Sequence, residues 1–267
     1  MIGFYILIFV LGVSFGSFLN ALEWRLNKEI SLTKGTSKCP KCEEKIKWYD
    51  NIPLVSFFIL KSKCRNCKKS ISWQYPLVEL WMGLIFIFVF CHHNVYQNLI
   101  LGNTDMLPFI DYIIFIKDLI IVWILTFIFV YDLKYMEVSD LVTLGGAGIL
   151  FIISLFTNAD WVSMLIGVAI GGGFFLIQFL ISKGKWIGGG DVRIGVLMGV
   201  ILGWKLLLLA LWIAYVVGAI VGIILLLFRK KKMKSEVPFG VFLTLATFVV
   251  MFWGQIFLDW YMGFVSL

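Results

Sequence analysis

Leu119-Ile120-Ile121-Val122-Trp123-Ile124-Leu125-Thr126-Phe127-Ile128-Phe129-Val130-Tyr131-Asp132 is the end of a long apolar run that stops on a carboxylate. With the residues before it, the run is long enough to cross the hydrocarbon of a bilayer, which takes about 20 residues at 1.5 Å per residue. It is not alone. The chain has 267 residues, 61% of them hydrophobic and 15% charged. Its apolar residues come in blocks of membrane length rather than in the short periodic stripes of a soluble domain. Eight spans are expected, at about 2–22, 76–95, 112–131, 140–157, 161–182, 191–203, 206–228 and 239–260. The fold class is therefore an all-α polytopic membrane protein. The amino-terminal run lacks a basic start and reaches about Leu22, so it reads as a retained helix rather than a cleaved signal.

The basic residues set an orientation. Twelve fall between Arg25 and Lys69, followed by Lys134, then Lys183, Lys185 and Arg193, then the five within Arg229–Lys234. These are alternate loops on an eight-span path, and the opposite loops keep Lys117 and Lys205. Lys and Arg accumulate on the cytoplasmic side, so these loops are expected there, with both termini outside. The same bias accounts for the net charge of +7 without a nucleic-acid partner. Both Asp132, ending the third span, and Asp191, opening the sixth, then fall at the cytoplasmic face. Gly167/Gly171, Gly195/Gly199, Gly199/Gly203 and Gly218/Gly222 stand four apart, a spacing that lets helix backbones approach. No internal repeat is evident.

The polar segment 25–75 divides a first helix (1–24) from a membrane core (76–267). It carries Cys39-Pro40-Lys41-Cys42 and Cys64-Arg65-Asn66-Cys67. Two CxxC turns can wrap one tetrahedral Zn²⁺, and a short segment with little core needs such a staple. Thiol–disulfide exchange and an iron–sulfur cluster are the competing readings, but exchange needs one pair rather than two. Four thiolates leave no open position for water, so a zinc held by Cys39, Cys42, Cys64 and Cys67 is structural. Cys91 stands alone and reads as a small hydrophobe.

Hydrolytic chemistry must then come from the aspartates. A carboxylate inside a span costs about 2.5–3.5 kcal/mol on insertion scales, so two of them call for a role. Paired carboxylates share a proton: one activates water while the other protonates or hydrogen-bonds the scissile carbonyl. Asp132 and Asp191 are the expected pair. Gly188, Gly189 and Gly190 would let an extended backbone approach Asp191 and leave its amides free. Helix capping is the alternative role for Asp191, and it suits Asp140 at the start of the fourth span well.

Gly188-Gly189-Gly190-Asp191, a second aspartate ending another span, and the twin CxxC loop together resemble the prepilin (type IV leader) peptidase family. Further matches are Gly16-Ser17-Phe18-Leu19-Asn20 with Arg25, Asn51-Ile52-Pro53-Leu54-Val55-Ser56, Tyr75-Pro76-Leu77-Val78-Glu79-Leu80 and Pro238-Phe239-Gly240. The resemblance implies an enzyme of the bacterial inner membrane with Asp132 and Asp191 as catalytic residues and Asp140 in support. Such an enzyme cleaves the leader of type IV prepilins or pseudopilins at the cytoplasmic face. It then methylates the new amino terminus with S-adenosylmethionine, for which the sequence shows no recognisable donor site. Where the family commonly has Pro-Asp, this chain has Ser139-Asp140. Two rivals follow from the same residues. A presenilin-type protease would cut within a substrate's span; a transporter or thiol-redox protein would use the aspartates for ions and the cysteines for electrons.

Overall fold

A computed structural model describes residues 2–31, 36–93, 109–157, 159–228 and 238–265. The basic run Arg229–Lys234, used above for orientation, lies outside the described residues. Among the described residues there are eight α-helices and no β-strand, only isolated bridges. They fall into two compact units, Met1–Trp123 and Ile124–Leu267.

The first unit contains α1 (Ile2–Asn27), a 3-10 turn (Trp48–Asn51), α2 (Val55–Ile59), α3 (Gln74–His92) and the first half of α4 (Phe109–Tyr135). The backbones of α1 and α3 nearly touch. A Cβ on Gly16 would lie 2.8 Å from Glu79 Cα, and one on Gly83 would strike the Phe9 ring. Asn20, Glu23 and Glu79 are buried in this contact. Gln74 Nε2 donates to Glu23 at 2.9 Å, Asn20 Nδ2 to the Tyr75 carbonyl at 3.2 Å, and the Leu54 N–H to Glu79 at 2.7 Å. Buried polar groups in hydrocarbon need such partners.

The second unit contains the rest of α4, α5 (Asp140–Leu155), α6 (Trp161–Ser182), α7 (Gly189–Leu227) and α8 (Gly240–Val265). Asp160 caps α6, accepting from the Ser163 N–H at 3.0 Å. At its other end Lys183 turns left-handed, and Gly184 (φ +75°) continues the exit.

α7 is one helix by hydrogen bonding and two limbs by path. Gly203, at φ 66° and ψ 178°, breaks it in a region that favours glycine. The contacts of α6 show that the chain doubles back there. Gly167 meets Gly199 and Gly203, while Gly171 meets both Gly195 and Leu207. Further along α6, Gln178 accepts from Tyr215 on the second limb at 3.2 Å.

Among the described residues, six helices are long and apolar enough to cross a membrane. With the break at Gly203, and with the shorter apolar α5, the path matches the eight expected spans. The short span 191–203 is the first limb of α7. Three of the four glycine pairs lie in the α6–α7 crossing as expected. Gly218/Gly222 does not: Gly222 has no neighbour within 4 Å of a built Cβ, and Gly218 has ordinary van der Waals contacts.

Candidate active site and candidate metal centre

Asp132 and Asp191 come from different helices and are both buried. α4 runs to Tyr135, one turn past the expected span, so Asp132 sits inside the helix rather than at a loop junction. Its Oδ2 accepts from the Val241 N–H at 3.1 Å, and the Gly240 N–H also reaches the carboxylate. Asp191 lies in the first turn of α7, within reach of the charge of Asp132. Gly240 ties the arrangement together. A Cβ there would stand 2.7 Å from Asp132 Oδ2 and 2.8 Å from Ile194 Cδ1, one turn beyond Asp191.

Gly188 caps α7 with extended backbone and no side-chain hydrogen bond, so Asp191 is not the cap. Gly189 and Gly190 are already helical. The Asp191 N–H donates to Gly188 O at 3.1 Å, so the glycines make a helical first turn and not an extended strand. Of the three, Gly190 is held to glycine by packing, because its Cβ would lie 2.5 Å from Val138 Cγ2.

Asp140 is likewise not a cap. Ser139 precedes α5 as its N-cap, and Asp140 pairs with Arg193 Nη1 on α7. This ion pair and the Val138–Gly190 contact fasten the α4–α5 loop to the turn that carries Asp191. Ser139 has φ −77°, inside the range a proline ring imposes, so serine here follows the path a proline would fix.

Two consequences can be measured. Gly240→Ala is expected to lower the rate of peptide cleavage about 100-fold at normal membrane yield, since displacement of about 1 Å at a reacting group has that effect. Wild-type turnover by this variant would show that Gly240 does not set the position of Asp132. Asp140→Asn or Arg193→Gln should reduce cleavage about fivefold, the scale of a partly exposed ion pair. The exchange Asp140→Arg with Arg193→Asp should restore most of it, and failure of the exchange to rescue would leave the pair without a positioning role.

Sequence reasoning did not connect Gly240, Val241, Val138 or Arg193 with the aspartates. The Pro238-Phe239-Gly240 segment was visible, but no spacing rule ties the start of the last span to the end of the third.

The four cysteines of the polar segment converge. The sulfurs of Cys39, Cys42, Cys64 and Cys67 lie within 4.8 Å of one another. Tetrahedral zinc with bonds of about 2.3 Å needs sulfurs about 3.8 Å apart, so the donor set fits a single ion. Each pair sits in the same knuckle. The Cys39 N–H donates to Glu44 O and Glu43 N–H to Cys39 O, while the Cys64 N–H donates to Lys69 O and Lys68 N–H to Cys64 O. Glu43 and Lys68, following the second cysteine of each pair, are both left-handed, at φ 57° and 58°. The expectation of no internal repeat fails here: Ser37-Lys38-Cys39 with Cys42, Ile46 and Trp48 recurs at the same spacing as Ser62-Lys63-Cys64 with Cys67, Ile71 and Trp73, and the backbone follows the repeat. The Cys64 thiol is lowered to about 7, first by the Cys67 backbone N–H. Beside the knuckles, Arg65 clasps Asp50 at 2.7 Å and 2.8 Å and holds its carboxyl below the usual range.

The described residues thus form a polytopic helical protein in which two buried aspartates come from different helices and four cysteines form a cluster that could hold one zinc ion. Comparison with known proteins gives the family. Residues 10–93 match the bacterial peptidase A24 N-terminal domain, and residues 119–223 match the type IV leader peptidase family. A prepilin leader peptidase/N-methyltransferase of Legionella pneumophila is 28% identical over 97% of this chain and 95% of its own. One from Pseudomonas aeruginosa is 28% identical over 99% of this chain and 96% of its own, and one from Myxococcus xanthus 32% identical over 84% and 64%. No solved structure matches. The chain belongs to the type IV leader peptidase family.

Proposed function

We propose that the protein is an integral-membrane aspartic endopeptidase of the bacterial inner membrane that removes the leader from type IV prepilins or pseudopilins. Asp132 and Asp191 are its catalytic residues. The observation that carries this reading is the meeting of two buried carboxylates from α4 and α7, with the first amides of α8 on one of them. In the proposed mechanism the pair holds one proton. The ionised member takes a proton from water, whose oxygen adds to the scissile carbonyl. The protonated member hydrogen-bonds the carbonyl oxygen as it gains charge. Collapse expels the amine of the mature chain, which takes up a proton. The Gly240 and Val241 N–H groups orient Asp132, and the Arg193–Asp140 pair orients the turn carrying Asp191.

The excess of Lys and Arg in alternate loops supports a site at the cytoplasmic face, with both termini outside. Cys39, Cys42, Cys64 and Cys67 hold a structural zinc. The names of the relatives add a second activity, methylation of the newly exposed amine. S-adenosylmethionine, when bound, would supply the methyl group to the amine nitrogen, which would give up a proton as the neutral thioether leaves.

The test is mass spectrometry of the amino terminus of a prepilin coexpressed with this protein. Loss of the leader after a glycine, with one added methyl group, is expected. An intact leader, or a cut within the apolar segment of the substrate, would overturn the reading, the second outcome favouring a presenilin-type protease.

A further inference from the structure

The break at Gly203 folds α7 back on itself, and its position decides what meets the aspartates. Asp191 stands twelve residues before Gly203 and Tyr215 twelve after it. At 1.5 Å per residue both lie roughly 18 Å from the bend, so the two limbs bring them to one level. The charge of Asp191 reaches the Tyr215 hydroxyl. α6 comes to the same level: its Phe175 ring would meet a Cβ on Gly195 at 2.7 Å, and Gln178 follows nearly one turn on. The Tyr215 ring packs on Phe239, with centroids 5.0 Å apart, and Phe239 precedes the Gly240 that lies against Asp132.

Tyr215 and Gln178 are polar side chains on apolar helices of the second unit, and their hydrogen bonds run in one direction. Gln178 Nε2 donates to the Phe174 carbonyl at 3.3 Å, which leaves Oε1 to accept from the Tyr215 hydroxyl at 3.2 Å. A phenol that donates its one proton still has an oxygen able to accept. Tyr215 is 36% exposed, so the side chain stays open to a ligand. Phe174 and Phe239 flank its ring, and a hydrogen bond in such apolar surroundings is stronger than in water. We infer that Tyr215 touches the substrate: its oxygen accepts a backbone N–H of the precursor beside the scissile bond, while Gln178 fixes the direction of the phenol. The inference rests on the peptidase reading of Asp132 and Asp191. A peptide extended across two carboxylates in an apolar site exposes its own N–H and C=O groups, and each needs a partner there. The aspartates act on the scissile carbonyl, and Tyr215, level with Asp191 on the facing limb, supplies an acceptor for a neighbouring N–H. The contact has a polarity, because the hydroxyl proton is committed to Gln178.

The test is an enzyme–substrate cycle with full-length protein in nanodiscs and a synthetic prepilin peptide. Replacing an amide N–H by an ester oxygen, at each bond flanking the cut in turn, removes one donor and keeps the shape. One such ester is expected to lower wild-type kcat/KM about fivefold, the scale of one neutral hydrogen bond. Tyr215→Phe should lose about the same with the all-amide peptide and be indifferent to that ester. A merely structural role would leave every ester equally costly in both enzymes, and that result overturns the assignment. A second measurement holds even where Tyr215→Phe is inactive. In an Asp191→Asn background, p-benzoylphenylalanine in place of Tyr215 should crosslink to the uncut precursor within a few residues of the cleavage site. Crosslinks to lipid alone, or to distant parts of the precursor, would overturn the contact. Failure of the wild-type protein to cut any prepilin would overturn the peptidase reading itself, whereas normal cleavage with additive effects removes only the contact at Tyr215.

Discussion

Asp191→Asn should yield membrane-inserted protein that leaves a prepilin leader uncut, a loss on the order of 10⁴-fold, and Asp132→Asn should do the same. The substitution keeps size and shape, so the expected loss isolates the carboxylate. An amide at 132 can still accept from the Val241 N–H, which argues that the start of α8 stays in place. What disappears is the proton-sharing unit. Because the two residues act as one unit, the double variant should be no worse than either single one. Asp160→Asn is the matching control. Asp160 is the cap of α6, accepting from Ser163, and the amide of Asn keeps that acceptor, so this variant should change neither stability nor cleavage appreciably. The measurement is product formation from purified precursor, with membrane yield scored in parallel. Full processing by a stable Asp191→Asn protein would remove the aspartic mechanism.

The membrane architecture was legible because hydrocarbon imposes one requirement everywhere: about 20 apolar residues per crossing. Even the short span 191–203 could be read, and its partner 206–228, although hydrogen bonding runs them together as one helix. The four-residue spacing within Gly167/Gly171 and Gly195/Gly199 marked backbones able to approach, and in the fold these two pairs meet each other. Gly218/Gly222 has the same spacing and no such contact, so the rule identifies helices that can approach and not which ones do. The four cysteines were legible for a related reason, since a tetrahedral ion dictates both residue type and spacing.

The surroundings of the aspartates were not legible. Asp140 looked like a cap because it precedes an apolar run, and the deciding partner, Arg193, lies 53 positions away on another helix. Gly240 looked like the loose start of a span, whereas its missing side chain is what lets α8 lie against Asp132. Long-range contacts of this kind leave no periodic trace in one sequence.

Changing Cys39 and Cys42 together to Ser should remove the metal and unfold the knuckle segment while leaving the second unit inserted. The reason is the small size of the segment's core. Between residues 36 and 73 the buried apolar side chains among the described residues are Cys39 and Phe57. Two side chains cannot offset the entropy of ordering nearly forty residues, at about 1–2 kcal/mol per residue for the backbone alone. The Arg65–Asp50 clasp is half exposed on the arginine side, and such a screened pair adds little to stability. The helix contact to Glu79 anchors Leu54 but not the knuckles. A structural zinc, with apparent binding free energies of about 10–16 kcal/mol in small metal-folded peptides, is the one term of the required size. Wild-type protein should therefore carry about one zinc per chain. Acid should release the metal, because protons compete for the thiolates. The double variant should carry none and be cut by trypsin among the many lysines of the segment, where the loaded protein resists. Metal-free wild-type protein that resists trypsin and presents four alkylatable thiols would rule out the structural zinc.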